Sequence, residues 1–461
     1  MVAIICGLFF IGILLIGVLS GVRLKGANEW ANGGKNLNWF TAGMLIVTFQ
    51  IGGTSIIGSA QYGYTMGMAG VWYSLAGTIS IAASALFAKS LRKYVSEDTL
   101  TNFLENRYSS KVGSIYSTVY LLMGFIYIPI QLFTLTTILR TAIPGLSLTW
   151  ACVVGLLLSI SYIIVSGIKG AGVVSKISAI LMYVAIAAGV VIALNRTGGF
   201  SSLNEILPES YFSIFTMPSA TWIGWLITIF VAFLTMQAAI QPTLSCRDDR
   251  NARNGILFGA LLNLPIGFLC AWIGMIGSAN LELENSSLAF ATTIMTYTPP
   301  VLTGIIFAAI ALIIVCTLSG QMLAVGTIIQ KVCKPMFVRK NMDESKKLLY
   351  TRLLSVLYAF LTIIPTFMVQ QSMLSNLVTI LIACVTGPMF FSIVAGMFWK
   401  RMNATSAACS ILTGLVVGIG WWIFGDAAAV PPIYLILPAS ALVGCVAVLL
   451  TKSNPINEKE R

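Results

Sequence analysis

Two uncharged clusters carry most of the chemistry this sequence offers. Thr48-Phe49-Gln50-Ile51-Gly52-Gly53-Thr54-Ser55 places two glycines and four polar side chains in the middle of an apolar run. Glycine costs roughly 1 kcal/mol against alanine inside a helix, so a helix here is weak at its centre. An unwound helix frees carbonyls that can hold a cation or a polar solute. The same letters also suit close packing of small residues against a neighbouring helix. The second cluster, Cys316-Thr317-Leu318-Ser319-Gly320-Gln321, offers either hydroxyls for a ligand or hydrogen bonds between helices. Candidate solute contacts are Gln50, Gly53, Thr54 and Ser55 in the first cluster, with Tyr73, Gln131 and Gln237 on other segments. Pro129 and Pro242 would loosen helices beside them.

Other chemistries lack their residues. The chain has no histidine, which removes the commonest zinc and heme ligand and the usual near-neutral acid and base. There is no P-loop and no GxSxG, and the longest hydrophilic stretch, 331–352, is too short for an ATPase or kinase module. Nothing points to an enzyme or to an organic cofactor. Every Asp and Glu can be assigned to a loop or a span end, whereas a proton pump usually relies on an intramembrane carboxylate or histidine. The nine cysteines form no CxxC pair and read mostly as reduced thiols packing as small hydrophobes.

The elements that hold these clusters cross a bilayer. Of the 461 residues, 57% are hydrophobic and 9% are charged, with mean hydropathy +0.91; a soluble domain carries about 25% charged residues. The apolar runs divide into about thirteen spans, each long enough for a hydrocarbon core of about 30 Å. They lie near 2–22, 39–64, 68–91, 112–139, 148–168, 173–195, 218–243, 254–278, 296–330, 350–370, 373–399, 402–424 and 430–451. The net charge of +12 does not indicate nucleic acid, because the basic residues sit in short loops between the runs. Arg23 and Lys25 follow the first span and no basic residue precedes it, the reverse of a signal peptide. With the N-terminus outside, all of the 27 Lys and Arg except Arg140 and Arg196 fall on the cytoplasmic side, and the C-terminus is inside. The short tail 452–461 carries no output domain for a receptor.

Several stretches resemble the sodium:solute symporter family over nearly the whole chain. They are Gly33-Gly34-Lys35-Asn36-Leu37, Thr99-Leu100-Thr101-Asn102-Phe103-Leu104-Glu105-Asn106-Arg107-Tyr108, Ala252-Arg253-Asn254-Gly255, Val315-Cys316-Thr317-Leu318-Ser319-Gly320-Gln321-Met322-Leu323 and Gly396-Met397-Phe398-Trp399-Lys400-Arg401. The resemblance implies an all-α, LeuT-type fold in one transmembrane domain: an extra helix and loop (1–38), two inverted five-helix repeats (39–195 and 218–399), then two helices and a tail (400–461). It implies sodium-coupled symport of a small organic solute by alternating access in the cytoplasmic membrane, with lipid and solute as the partners and no obligate protein partner.

The family's sodium site, carried over, uses Thr48 and Ile51 on the broken helix and Ile313, Cys316 and Thr317 on the ninth span. Two departures stand out. Cys316 occupies a position where serine is usual, and a thiol is a poor ligand for a hard cation. Ser175 and Lys176 stand where the family carries an aspartate that supports the site. Lys176 therefore either approaches a degraded sodium site, giving a proton-coupled or facilitative transporter, or snorkels to water at its span end. A non-transporting membrane receptor is a further reading. The family handles sugars, amino acids, carboxylates, vitamins and urea-like solutes, and the residues do not choose among them.

Overall fold

The computed structural model describes residues 2–19, 26–95, 99–339, 341–368, 374–426 and 429–451. The tail 452–461, Arg23 and Lys25 of the orientation argument, and the boundary between the tenth and eleventh expected spans lie outside them. No strand occurs among the described residues; one isolated bridge joins Leu37 to Cys246.

In chain order the helices are α1 (Val2–Leu19), α2 (Ala27–Asn32), α3 (Trp39–Met66), α4 (Trp72–Ser84), α5 (Ala88–Tyr94), α6 (Leu100–Arg107), α7 (Ser110–Ala142), α8 (Leu148–Arg196), α9 (Gly199–Ile206) and α10 (Ser219–Thr235). There follow α11 (Gln237–Leu244), α12 (Asp249–Asn280), α13 (Ala289–Tyr297), α14 (Pro300–Val332), α15 (Lys334–Arg339), α16 (Glu344–Leu361), α17 (Ile363–Thr366), α18 (Leu374–Phe398), α19 (Ala404–Phe424) and α20 (Ile433–Leu450). Local chemistry sets many of the starts. Asn38, Ser147, Asp248 and Asn403 each accept a backbone N–H of the following first turn, satisfying a donor the helix itself cannot.

Among the described residues, nine helical stretches are long and apolar enough to cross a membrane. The pair α10 and α11, bent by 55°, makes a tenth. This falls short of the thirteen expected. One reason is that α3 to α5 form one stretch of 56 residues, turned at Gly67 without losing its helical character. Two further apolar stretches, Gly7–Leu19 within α1 and Leu148–Ser161 at the start of α8, lie outside these nine. The long α8 joins two expected spans across a break at Gly167 (φ 56°, ψ −148°). Only glycine takes that conformation readily, and a Cβ there would lie 2.2 Å from the Trp30 carbonyl oxygen.

The core sits where α3, α7, α8, α12 and α14 meet; the most apolar window of α14 is 83% buried, against 28% for α19 and α20. No water-driven force presses helices together in lipid, so close approach decides the packing. Along α3 and α12 that approach is made by small residues at both ends. A Cβ on Gly43 would lie 2.9 Å from the Gly255 carbonyl oxygen, and one on Gly274 would lie 2.1 Å from that of Ala60. The eight described cysteines are free and mostly buried.

Two arginines hold helix ends. Arg92 reaches the carbonyls of Thr243, Leu244 and Cys246 beyond α11 and pairs with Asp249 at 2.8 Å. Arg107 donates to the carbonyls of Gly396, Trp399, Lys400 and Met402 at the end of α18. Thr243, Leu244 and Gly396 are among the last-turn acceptors that a helix leaves at its C-terminus, and the other carbonyls belong to the turns that follow. Arg107→Gln should therefore lower stability by about 2–3 kcal/mol, the scale of a lost charged hydrogen-bond set. A melting temperature within a degree of wild type would show that water serves these carbonyls as well.

A candidate substrate and cation site at two helix breaks

α3 is broken at Gly52 (φ 42°, ψ −174°). A side chain at that backbone conformation is strongly disfavoured, so the glycine is what permits the break. A Cβ on Gly52 would lie 3.3 Å from the Gln131 amide and from the Thr317 hydroxyl. The break thus touches α7 and α14 at once. The Gly53 N–H faces the Gln131 amide oxygen at 3.3 Å.

The carbonyls freed before the break find side-chain donors. The Thr317 hydroxyl donates to the Thr48 carbonyl at 2.8 Å, and the Ile313 carbonyl lies 3.1 Å from the same hydroxyl. Three oxygens expected to hold sodium therefore converge on one point between α3 and α14. All three are hard donors that suit an alkali cation. Ile51 lies next to the break, and Cys316 is buried one residue before Thr317. Ser175 accepts from the Thr48 hydroxyl at 3.0 Å, so a hydroxyl on α8 approaches this cluster where the resemblance implies a carboxylate. Lys176, the next residue, is half-buried and takes no part in the bonds around Thr48.

The second break lies at Met236 (φ −86°, ψ 123°), between α10 and α11. Pro129 and Pro242, expected to loosen helices here, lie inside α7 and α11, where each lacks the N–H that a helix would use. Beside the two breaks is a small cavity of about 30 Å³, room for one or two waters. Gln50, Thr54 and Tyr73 line it, as expected from the sequence. Tyr73 bonds Thr54 and meets the Trp225 ring edge-on at 5.4 Å. Gln131 and Gly53 sit behind the lining, at the break. Ser55 turns back to the Gln50 carbonyl at 2.9 Å. Gln237 accepts the Leu100 N–H at 3.1 Å, on the start of α6.

Sequence reasoning missed the apolar half of the cavity: Phe49, Tyr127, Phe233, Met236 and Ile382. Phe49 and Tyr127 stack at 6.5 Å. One signal was present, since Tyr127 stands one helical turn before Gln131. No charged side chain lines the cavity.

Next to Tyr73, the segment after α9 packs on the start of α4 and the end of α3. Trp72 stacks on Trp222 at 4.1 Å and donates to the Ile214 carbonyl, and the Tyr211 hydroxyl bonds the end of α3. A belt of buried amides and hydroxyls joins α7, α11 and α14. The Tyr120 hydroxyl contacts Gln321 and the Ala238 N–H, while Gln241 donates to the Ala31 carbonyl and to Thr327. Gln241 Oε1 and Gln321 Nε2 are buried without a partner. Thr327 and Ala31 also line a cavity of about 370 Å³ beyond the belt. Two helix breaks, a small cavity and a set of buried amides are thus grouped around α3, α7, α10 and α14.

Comparison with known proteins agrees. A model of the sodium:solute symporter family matches residues 30–414. The osmoregulated proline transporter OpuE of Bacillus subtilis is 21% identical over 97% of this chain and 94% of its own. The sodium/glucose cotransporter of Vibrio parahaemolyticus is 21% identical over 90% of this chain and 81% of its own. A solved structure of a Na+-coupled sialic acid symporter superposes with TM-score 0.83 at 17% identity, covering 99% of this chain and 98% of that one. The fold and site thus define a polytopic membrane transporter of the LeuT type. The chain belongs to the sodium:solute symporter family, and its activity is sodium-coupled symport of a small solute.

Proposed function

We propose that the solute binds in the cavity beside Gly52 and Met236, and that sodium binds at Thr48, Ile313 and Thr317, with the Ile51 carbonyl completing the shell. The observation that carries this reading is the Thr317 hydroxyl, which bridges carbonyls of a broken helix and of α14. A small neutral or zwitterionic solute with an apolar part suits the lining: rings and Met236 on one side, Gln50 and Thr54 on the other. The named relatives carry proline or glucose, which fit that description of charge; at about 30 Å³ the cavity must widen to admit either. The repeats of 39–195 and 218–399 gain support from the two breaks, because each half opens with its broken helix.

The ion site is one oxygen short. Cys316 brings sulfur, and Ser175 brings a neutral hydroxyl near Thr48. Sodium therefore binds weakly, and Cys316→Ser should lower the half-saturating sodium concentration about tenfold, equivalent to roughly 1.4 kcal/mol, the scale of one net hydrogen bond. An unchanged sodium curve would remove Cys316 from the shell. The test of the whole reading is initial uptake into proteoliposomes with sodium replaced by choline at fixed pH. A steep loss supports sodium coupling and dismisses Lys176 as a substitute cation; an unchanged rate overturns it.

The same proposal sets the orientation, with the N-terminus outside, thirteen crossings and the C-terminus inside. Cysteines introduced at Glu282 and Asp426 should react with an impermeant thiol reagent from outside intact cells, and one at Lys346 should stay protected. The opposite pattern would invert the topology.

A further inference from the structure

Where α14 gives way to α15, a groove of about 810 Å³ separates α15 from the first turns of α7. Its walls differ in chemistry. Ser110, Ser114 and Thr118 follow one another at helical spacing on α7 and line one side with exposed hydroxyls. Lys334 and Arg339, the first and last residues of α15, stand on the other. The groove ends toward the bundle at Leu121, whose carbonyl accepts from the Tyr358 hydroxyl of α16.

The charges in the groove do not balance. Its acid, Glu105, is already matched by Lys331, with Nζ 2.7 Å from the carboxylate and both side chains largely buried. Lys334 and Arg339 have no acidic partner among the described residues. Two cations facing a ladder of hydroxyls suit a phosphate, which accepts from both. Apolar surface adjoins this polar slot: Val332 is 53% and Val338 67% exposed, and Leu122, next to Leu121, is 59% exposed. In a chain that spans the bilayer this surface faces acyl chains, so a phosphate that carries such chains can lay them here while its headgroup sits in the slot.

We propose that this groove holds the headgroup of an anionic phospholipid, with the phosphate between Lys334, Arg339 and the α7 hydroxyls and the acyl chains along Val332 and Leu122. The site is separate from the solute cavity and from the sodium cluster.

The test uses the full chain in nanodiscs of phosphatidylcholine containing a minority of phosphatidylglycerol, with co-retained lipid counted by native mass spectrometry. Wild type should retain phosphatidylglycerol preferentially. Lys334→Gln with Arg339→Gln should reduce that preference about fivefold per cation removed. Arg250→Gln with Arg253→Gln, an equal charge change at exposed positions on α12 that do not line the groove, should leave it unchanged. Ser114→Phe, which fills the groove without altering charge, should also release the lipid. The proposal is overturned if wild type shows no preference, if the control pair loses it equally, or if Ser114→Phe keeps it. It is overturned as well if glycerol 1-phosphate in solution protects the groove as strongly as the lipid does, since the ligand would then be a soluble phosphate ester.

Discussion

Uptake by a Gly53→Leu variant should fall to background while the protein still reaches the membrane. A Cβ on Gly53 would lie 2.4 Å from Thr134 Cγ2 on α7 and 3.0 Å from Ile314 Cδ1 on α14. A leucine must push both helices away from the break. Overpacking of this kind costs about 1–3 kcal/mol, too little to unfold a chain with so large a buried core. It is enough to displace α3 from the Thr317 hydroxyl and to fill space beside Gln131. Surface expression measured by biotinylation, set against initial uptake, separates the two effects. Normal uptake would mean that the glycines only allow helices to pack.

Thr317→Ala should nearly eliminate sodium dependence. The hydroxyl satisfies the Thr48 carbonyl at 2.8 Å and contacts the Ile313 carbonyl at 3.1 Å. Its removal takes one oxygen from the cation and leaves buried acceptors without their donor. A hydrogen bond to a charged group is worth about 1.5–3 kcal/mol, so half-saturating sodium should rise at least about tenfold. Thr317→Ser keeps the oxygen and should restore most of the response. A sodium titration of the alanine variant that overlays wild type would place the ion elsewhere.

How much of this was legible in the letters depended on whether a backbone event had a residue that demanded it. The break at Gly52 was readable in part, because two adjacent glycines in an apolar run suit either an unwound helix or close packing, and the sequence left both open. Thr48 and Thr317 could be paired only through the family resemblance, since 269 residues separate them and no local rule joins them. The break at Met236 carries no signal: Thr235-Met236-Gln237 contains neither glycine nor proline, and the nearby Pro242 drew attention to the wrong turn. Gln237 was read as a solute contact because a buried amide in a span asks for a partner, and here its oxygen accepts the Leu100 N–H at the start of α6. The cavity's rings escaped notice because an aromatic residue in an apolar helix looks like any other packing residue. The sequence parted two spans between 64 and 68, and the turn at Gly67 falls there, although helix continues on both sides of it.

The glycine seam between α3 and α12 has a thermodynamic consequence. Packed backbone against backbone at both ends, these two helices must tilt together as one lever, because neither can slide without a clash. Thr48 rides on that lever, whereas Ile313 and Thr317 belong to α14. A cation at the site proposed above, among their oxygens, would be a clasp between two bodies, its binding energy available only in the posture that brings them together. By linkage, whatever favours that posture tightens the ion, and the ion favours that posture by the same amount. A weak clasp, with sulfur where an oxygen would serve better, leaves the lever closer to balance between its two postures.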